Sequence, residues 1–169
     1  MELRGQWVSL RPTQPADAPL LASILEEPEV AAWWGRFDLG RVRAELVGER
    51  DGDEGFVIEH DGEVVGYIQL SEEDDPEFRH AGIDLFLRTD VQGQGLGPDA
   101  IRTLAAYLID VRGHHRLTID PAADNVHAIA AYAKVGFRPV GRLRAYQRMP
   151  DGRWIDGWLM ELLADELVR

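Results

Sequence analysis

The segment Gln92-Gly93-Gln94-Gly95-Leu96-Gly97 has the composition of an anion cradle. Closely spaced glycines let backbone N–H groups converge on one point. The residues that follow, Ile101, Leu104, Ala105, Leu108 and Ile109, repeat at helical spacing. A helix there adds the positive end of its dipole to the cradle. Pro98 suits its first turn, where the N–H has no partner anyway. Such a loop can hold a pyrophosphate without lysine or arginine. It is not a P-loop, because Pro98-Asp99 stand where lysine and a hydroxyl are required. G-x-G-x-G in mid-chain, between hairpin-like strands, is also a poor dinucleotide fingerprint. Taken alone, the loop also reads as a structural turn.

Composition narrows the function classes. The chain has 169 residues, 45% hydrophobic and 28% charged, which suits one domain over 1–169 with a true core. The net charge of −12 disfavours nucleic acid and favours a cationic partner. An anionic cofactor then needs backbone N–H groups to hold it. There is no cysteine, so disulfides, thiolate metal sites and a cysteine nucleophile are excluded. The five histidines lack ligand spacing, and His114-His115 reads as surface, so no metal is expected. Met1–Gly5 has no apolar h-region and no run is long enough to span a bilayer. A cytoplasmic protein without membrane contact is the expectation.

Periodicity places the motifs on elements. Strands are expected over Trp7–Arg11, Gly55–Glu59, Glu63–Leu70, His80–Leu87, Arg116–Ile119, Val140–Met149 and Trp154–Leu162. Asp61-Gly62 and Asp151-Gly152 are hairpin turns. Helices are expected through Leu20–Leu25, stopped by Pro28, over Gly40–Glu49, after the glycine loop, and over Asn125–Val135 with Gly136 as its C-terminal glycine. Ala164–Val168 suits a short terminal helix. Trp33-Trp34 falls outside any clear element, and Ser71–Glu77 reads as an acidic loop. The fold class is α+β, with a mixed, mostly antiparallel sheet of six or seven strands and about four helices.

Gln92-x-x-Gly95-x-Gly97, after a strand and opening a helix, resembles the acetyl-CoA motif of the GCN5-related N-acetyltransferases. A second stretch, Asp124-Asn125-x-x-Ala128-x-x-x-Tyr132-x-x-x-Gly136-Phe137, resembles that family's next conserved segment. The two cover about residues 80–140, and the element order agrees over nearly the whole chain. The resemblance implies a GNAT fold with acetyl-CoA held where two neighbouring strands, Ile83–Arg88 and Leu117–Ile119, splay apart. It implies cofactor contacts from Phe86, Leu87, Thr89, Gln92, Gly93, Gln94, Gly95, Leu96, Gly97, Pro98 and Asn125. The Leu87 N–H would polarise the thioester carbonyl, and Tyr132 would protonate the departing thiolate. Residue type alone also allows Tyr132 to be a packed aromatic.

Trp33-Trp34-Gly35, Gly82-Ile83-Asp84 and Thr118-Ile119-Asp120-Pro121 together resemble aminoglycoside 6′-N-acetyltransferases. That resemblance implies a polycationic aminosugar as partner. Asp84 is then the candidate general base and Asp120 the substrate anchor, with a second role as base open. Trp33 and Trp34 would wall the sugar cleft. On residue type, Asp84 is also a plain exposed strand position, Asp120-Pro121 a turn, and the tryptophans core. The alternatives are a protein N-terminal or siderophore-type N-acyltransferase, or a non-catalytic cofactor-binding module. Two departures stand out: Ser71–Arg79 is short where the resistance enzymes carry an aromatic insertion, and Asp99 replaces a common basic residue, which would weaken phosphate contacts.

Overall fold

The computed structural model describes every residue except Glu49 and Asp51. Among the described residues one eight-stranded sheet organises the chain, in the order β1-β2-β3-β4-β5-β6-β8-β7. Its strands are β1 (Leu3–Arg4), β2 (Ser9–Pro12), β3 (Asp53–His60), β4 (Glu63–Glu73), β5 (His80–Leu87), β6 (Arg116–Ile119), β7 (Arg138–Arg148) and β8 (Trp154–Leu163). Every pairing is antiparallel except β5 with β6. The seven expected strands are all present. The eighth, β1, has two residues, too few to show a period. Asp61 (φ 49°) and Gly62 (φ 79°) turn β3 into β4 with both central residues left-handed, as a two-residue hairpin requires.

Among the described residues five α-helices flank the sheet: α1 (Ala18–Leu25), α2 (Pro28–Trp34), α3 (Leu39–Glu45), α4 (Leu96–Asp110) and α5 (Val126–Val135). The odd-numbered residues Ile83 and Leu85 of β5 and Leu117 and Ile119 of β6 pack with Leu96, Ile101, Leu104 and Leu108 of α4. On the opposite face, Val57, Tyr67 and Phe86 pack against α1, Val30 of α2 and Val42 of α3. Asp84 shares that second face of β5 with Phe86, by strand alternation.

Several expectations are corrected. Pro28 does not merely stop a helix; α1 ends at Leu25, and Pro28 opens α2, so Trp33 and Trp34 close a helix rather than lie outside one. The helix expected over Gly40–Glu49 ends at Glu45, and Glu49 lies outside the described residues. The terminal helix is a three-residue 3-10 turn, Ala164–Glu166. Ser71–Glu73 is not loop but the end of β4, pairing Ser71 with Gly82 and Glu73 with His80. Glu72 there accepts from Arg112 at 2.7 Å and contacts His114 Nε2 at 2.6 Å, so it ties the end of β4 to the segment after α4. His114 is therefore buried (1% exposed), not at the surface.

Candidate active site

Strands β5 and β6 pair only at Ala81–Leu117 and Gly82–Thr118, then diverge. The Arg88 N–H donates to the Val65 carbonyl at 2.8 Å on the β4 side. Alternation then turns the backbone of Leu85 and Leu87 away from β4 and into the gap. The gap opens into a cleft of about 830 Å³, lined at one end by Gln92, Gly93, Gly95, Gly97, Pro98 and Asn125 and at the other by Trp33, Asp84, Asp120 and Tyr146. Tyr132 also lines it.

At the first end, Gly93 (φ 74°) and Gly95 (φ 84°) are left-handed, and a side chain on either would meet nothing within 4 Å. The turn is therefore open to whatever it faces. Among the described residues, no protein acceptor takes the N–H groups of residues 93–97. Five free donors at the start of a fifteen-residue helix suit a pyrophosphate. Lys134 and His127 also line the cleft from α5.

At the second end, Asp84 is exposed by surface area where it lines the cleft, although protein atoms crowd its carboxylate closely enough to desolvate it. One oxygen, Oδ1, accepts from its neighbour's N–H, that of Leu85, at 2.9 Å. Burial, and secondarily the charge of Asp120, push the Asp84 carboxyl up to about 7. Asp120 is raised as well, by burial, against the opposing effect of a hydrogen bond donated by the Tyr146 hydroxyl. The Tyr132 hydroxyl has no protein partner among the described residues. Burial, then the charges of Asp84 and Asp120, raise it above its ordinary value and keep it protonated.

A splayed parallel pair beside a glycine turn at a helix start is the acyl-CoA geometry that the motifs imply, and the family model for acetyltransferases of the GNAT family matches residues 16–137. The chain belongs to the GNAT family. It is 29% identical over 164 residues, 86% of the chain and 79% of the relative, to aminoglycoside N(6′)-acetyltransferase type 1 of Klebsiella pneumoniae. It is 32% identical over 88 residues, 52% of the chain and 47% of the relative, to spermidine N(1)-acetyltransferase of Escherichia coli K12. The solved structure of AAC(6′)-Ib in complex with paromomycin and acetyl-CoA superposes with a TM-score of 0.79 at 26% identity, covering 97% of this chain and 98% of the other. The protein is an acetyl-CoA-dependent acetyltransferase.

Of the residues that the motifs single out, Thr89, Gln94 and Leu96 do not line the acetyltransferase cleft, whereas Trp34, Phe86, Gln92 and Asn125 line it while also serving structural roles. Leu96 is buried in the core (3% exposed) and offers only its N–H. The Gln94 amide turns back to the Asp90 carbonyl. The Thr89 N–H is already held by Glu27 Oε1 at 2.7 Å. Gln92 Nε2 donates to the Leu87 carbonyl at 2.9 Å, bracing the turn against β5. Phe86 packs its ring on Tyr67 and Trp34. Asn125 accepts from the Ala128 N–H and caps α5, and among the described residues its amide nitrogen has no acceptor. Trp34 is a clasp: its Nε1 donates to the Leu85 carbonyl at 3.1 Å, and its ring meets Phe37, Tyr67 and Phe86 edge-on.

Asp99 has a different task from the one its sequence position suggests. It is buried (3% exposed) and accepts the N–H groups of Gln6, Trp7 and Val8 at 3.1, 2.7 and 3.1 Å. Its carboxylate faces away from the anion cradle, onto the N-terminal segment. Sequence reasoning missed Tyr146, which reaches Asp120 because Ala145 adopts φ 47° at an irregularity in β7. It also missed Lys134 and His127, although their seven-residue separation places them on one face of α5.

Proposed function

We propose that the protein acetylates a primary amine of an aminoglycoside, at the 6′ position, by direct transfer. The observation that carries this reading is the pair of carboxylates, Asp84 and Asp120, in a cleft that also contains Trp33 and Tyr132. The bound cofactor supplies an activated acetyl thioester. The N–H groups of residues 93–97 hold its pyrophosphate, and Lys134 adds positive charge on the facing helix.

Asp120 and Trp33 receive the cationic sugar. Asp84, with a carboxyl near neutrality, takes the proton that an arriving ammonium must lose, directly or through water. Its anchored Oδ1 leaves Oδ2 to face the amine. The Leu87 N–H polarises the acyl oxygen. Tyr132, held protonated, gives its proton to the leaving sulfur. No cysteine is available for a thioester on the protein, which favours direct attack by the amine.

The test is thiol release from acetyl-CoA with purified protein and a panel of amines: kanamycin, spermidine, a peptide N-terminus and a hydroxamate siderophore precursor. Turnover of kanamycin with acetylation at the 6′-amine is expected. No turnover of any 6′-amino aminoglycoside overturns the proposal. Spermidine belongs in the panel because a spermidine acetyltransferase is also among the relatives.

A further inference from the structure

A directed chain of hydrogen bonds runs from the interior to the groove beside Asp84. Arg50 Nη2 donates to the Tyr67 hydroxyl at 3.1 Å. A guanidinium has no lone pair to accept with, so the hydroxyl proton must go elsewhere. It goes to Gln69 Oε1, at 2.9 Å. Tyr67 is completely buried and stacks on Phe86 with ring centroids 5.5 Å apart, which fixes the hydroxyl. The direction of this chain determines how the Gln69 amide is turned. Its oxygen is committed to Tyr67, and its NH₂ is the end left over. Among the described residues, no group accepts from that NH₂.

Gln69 lies opposite Asp84 in the β4–β5 register. Both line a second cavity of about 200 Å³, together with Ser71, Gly82, Thr118 and Asp120. Asp84 and Asp120 also line the main cleft, so the two cavities meet at the carboxylates. A groove made for a bare cation needs only acceptors. This one sets an amide donor and two hydroxyls beside two carboxylates. An ammonium satisfies the carboxylates but leaves the Gln69 NH₂ without a partner. A polymethylene chain would strip water from the amide and hydroxyls and return no hydrogen bond.

We infer that Gln69, positioned by Tyr67 and Arg50, is a specificity-determining donor that selects amines carrying an oxygen on the neighbouring carbon. Amino sugars with a ring oxygen or hydroxyl there fit, as do peptide N-termini with their carbonyl. Linear polyamines do not. The inference rests on acetyl transfer at the proposed site and narrows its substrate class.

The experiment compares kanamycin, a tripeptide with a free N-terminus, and spermidine as acceptors for the wild type, Gln69→Leu and Gln69→Glu. Melting temperatures check folding. The wild type is expected to prefer an oxygen-bearing amine to spermidine. Gln69→Leu is expected to lose about tenfold more kcat/KM on that amine than on spermidine, chiefly in KM. Gln69→Glu, of the same shape but with acceptors in place of the donor, shifts the ratio the same way. Calorimetric binding of the three amines to the CoA-loaded protein gives the same comparison where turnover is too slow to follow. A wild-type preference for spermidine, or equal losses on all amines, overturns the inference. So does failure of all three amines to bind. Kanamycin turnover with equal losses overturns it while leaving the aminoglycoside reading intact. Peptide turnover without kanamycin turnover does the reverse.

Discussion

The Leu85 N–H donates to Asp84 Oδ1 at 2.9 Å, at the point where β5 has parted from β6. In a continuous sheet that N–H would pair with the next strand. The splay frees it, and the carboxylate of the preceding residue takes it. The same departure of β6 that makes room for a thioester therefore also fixes the orientation of the proposed base.

Asp84→Asn tests that base. Removing a general base costs about 10²-fold or more in kcat/KM, with cofactor affinity nearly unchanged. Stability should move the other way. The folded carboxyl, at about 7, lies above its unfolded value, so the native state binds more protons between the two. Wild-type stability therefore falls as pH rises from about 4 to about 7. The Asn variant lacks this slope and is expected to melt higher than wild type at pH 8, by less at pH 5. Thermal unfolding at the two pH values, beside a thiol-release assay, checks both. A lower melting temperature at pH 8 would contradict the burial argument.

Tyr132→Phe removes the proposed acid and little volume. A loss of about 10²-fold in kcat, with KM for the amine unchanged, is the expected split. Because burial and the nearby carboxylates hold the hydroxyl above its ordinary value, the wild-type rate should show no descending limb up to pH 9. An unchanged kcat would make Tyr132 a packing residue.

Asp99→Ala separates structure from cofactor binding. Three backbone N–H groups, those of Gln6, Trp7 and Val8, lose their acceptor, and the Val8 hydrogen bond is buried. A destabilisation of about 3 kcal/mol is expected in urea unfolding. A Lys at the same position should be worse, since its charge would face three donors. Tighter cofactor binding by Asp99→Lys, with stability intact, would restore the view that this position belongs to the phosphate site.

The sequence carried the frame of this site more clearly than its walls. The glycine loop and the helix after it were legible because left-handed turns and 3.6-residue periodicity leave local signatures. The sheet was legible because alternation survives wherever one face meets a core. Helix α2 was not: it has seven residues and begins at Pro28, which has the same local signature whether it stops one helix or starts another. The task of Asp99 was hidden for another reason. Its partners lie more than ninety residues away, and no local pattern records such a contact. The same holds for Tyr146 on Asp120 and for Glu72 on His114. The resemblance could suggest Asp84 and Asp120, but only the register shows that they flank the gap.

Asp120→Asn probes the coupling across that gap. Asp120 is the second cause, after burial, of the raised Asp84 carboxyl. Neutralising it removes one like charge and leaves the burial untouched. The acid limb of kcat/KM, set in the wild type by a group near 7, should move to lower pH by less than the full displacement from an ordinary aspartate. KM for a polycationic amine should rise about tenfold as the anchor is lost. A pH profile from 5 to 9 on Asp120→Asn and wild type measures both effects. A limb that stays in place while KM rises would mean that Asp120 anchors the substrate without influencing the base. A limb that moves upward would mean that the carboxylates share a proton, with Asp84 holding the charge and Asp120 the hydrogen that stabilises it.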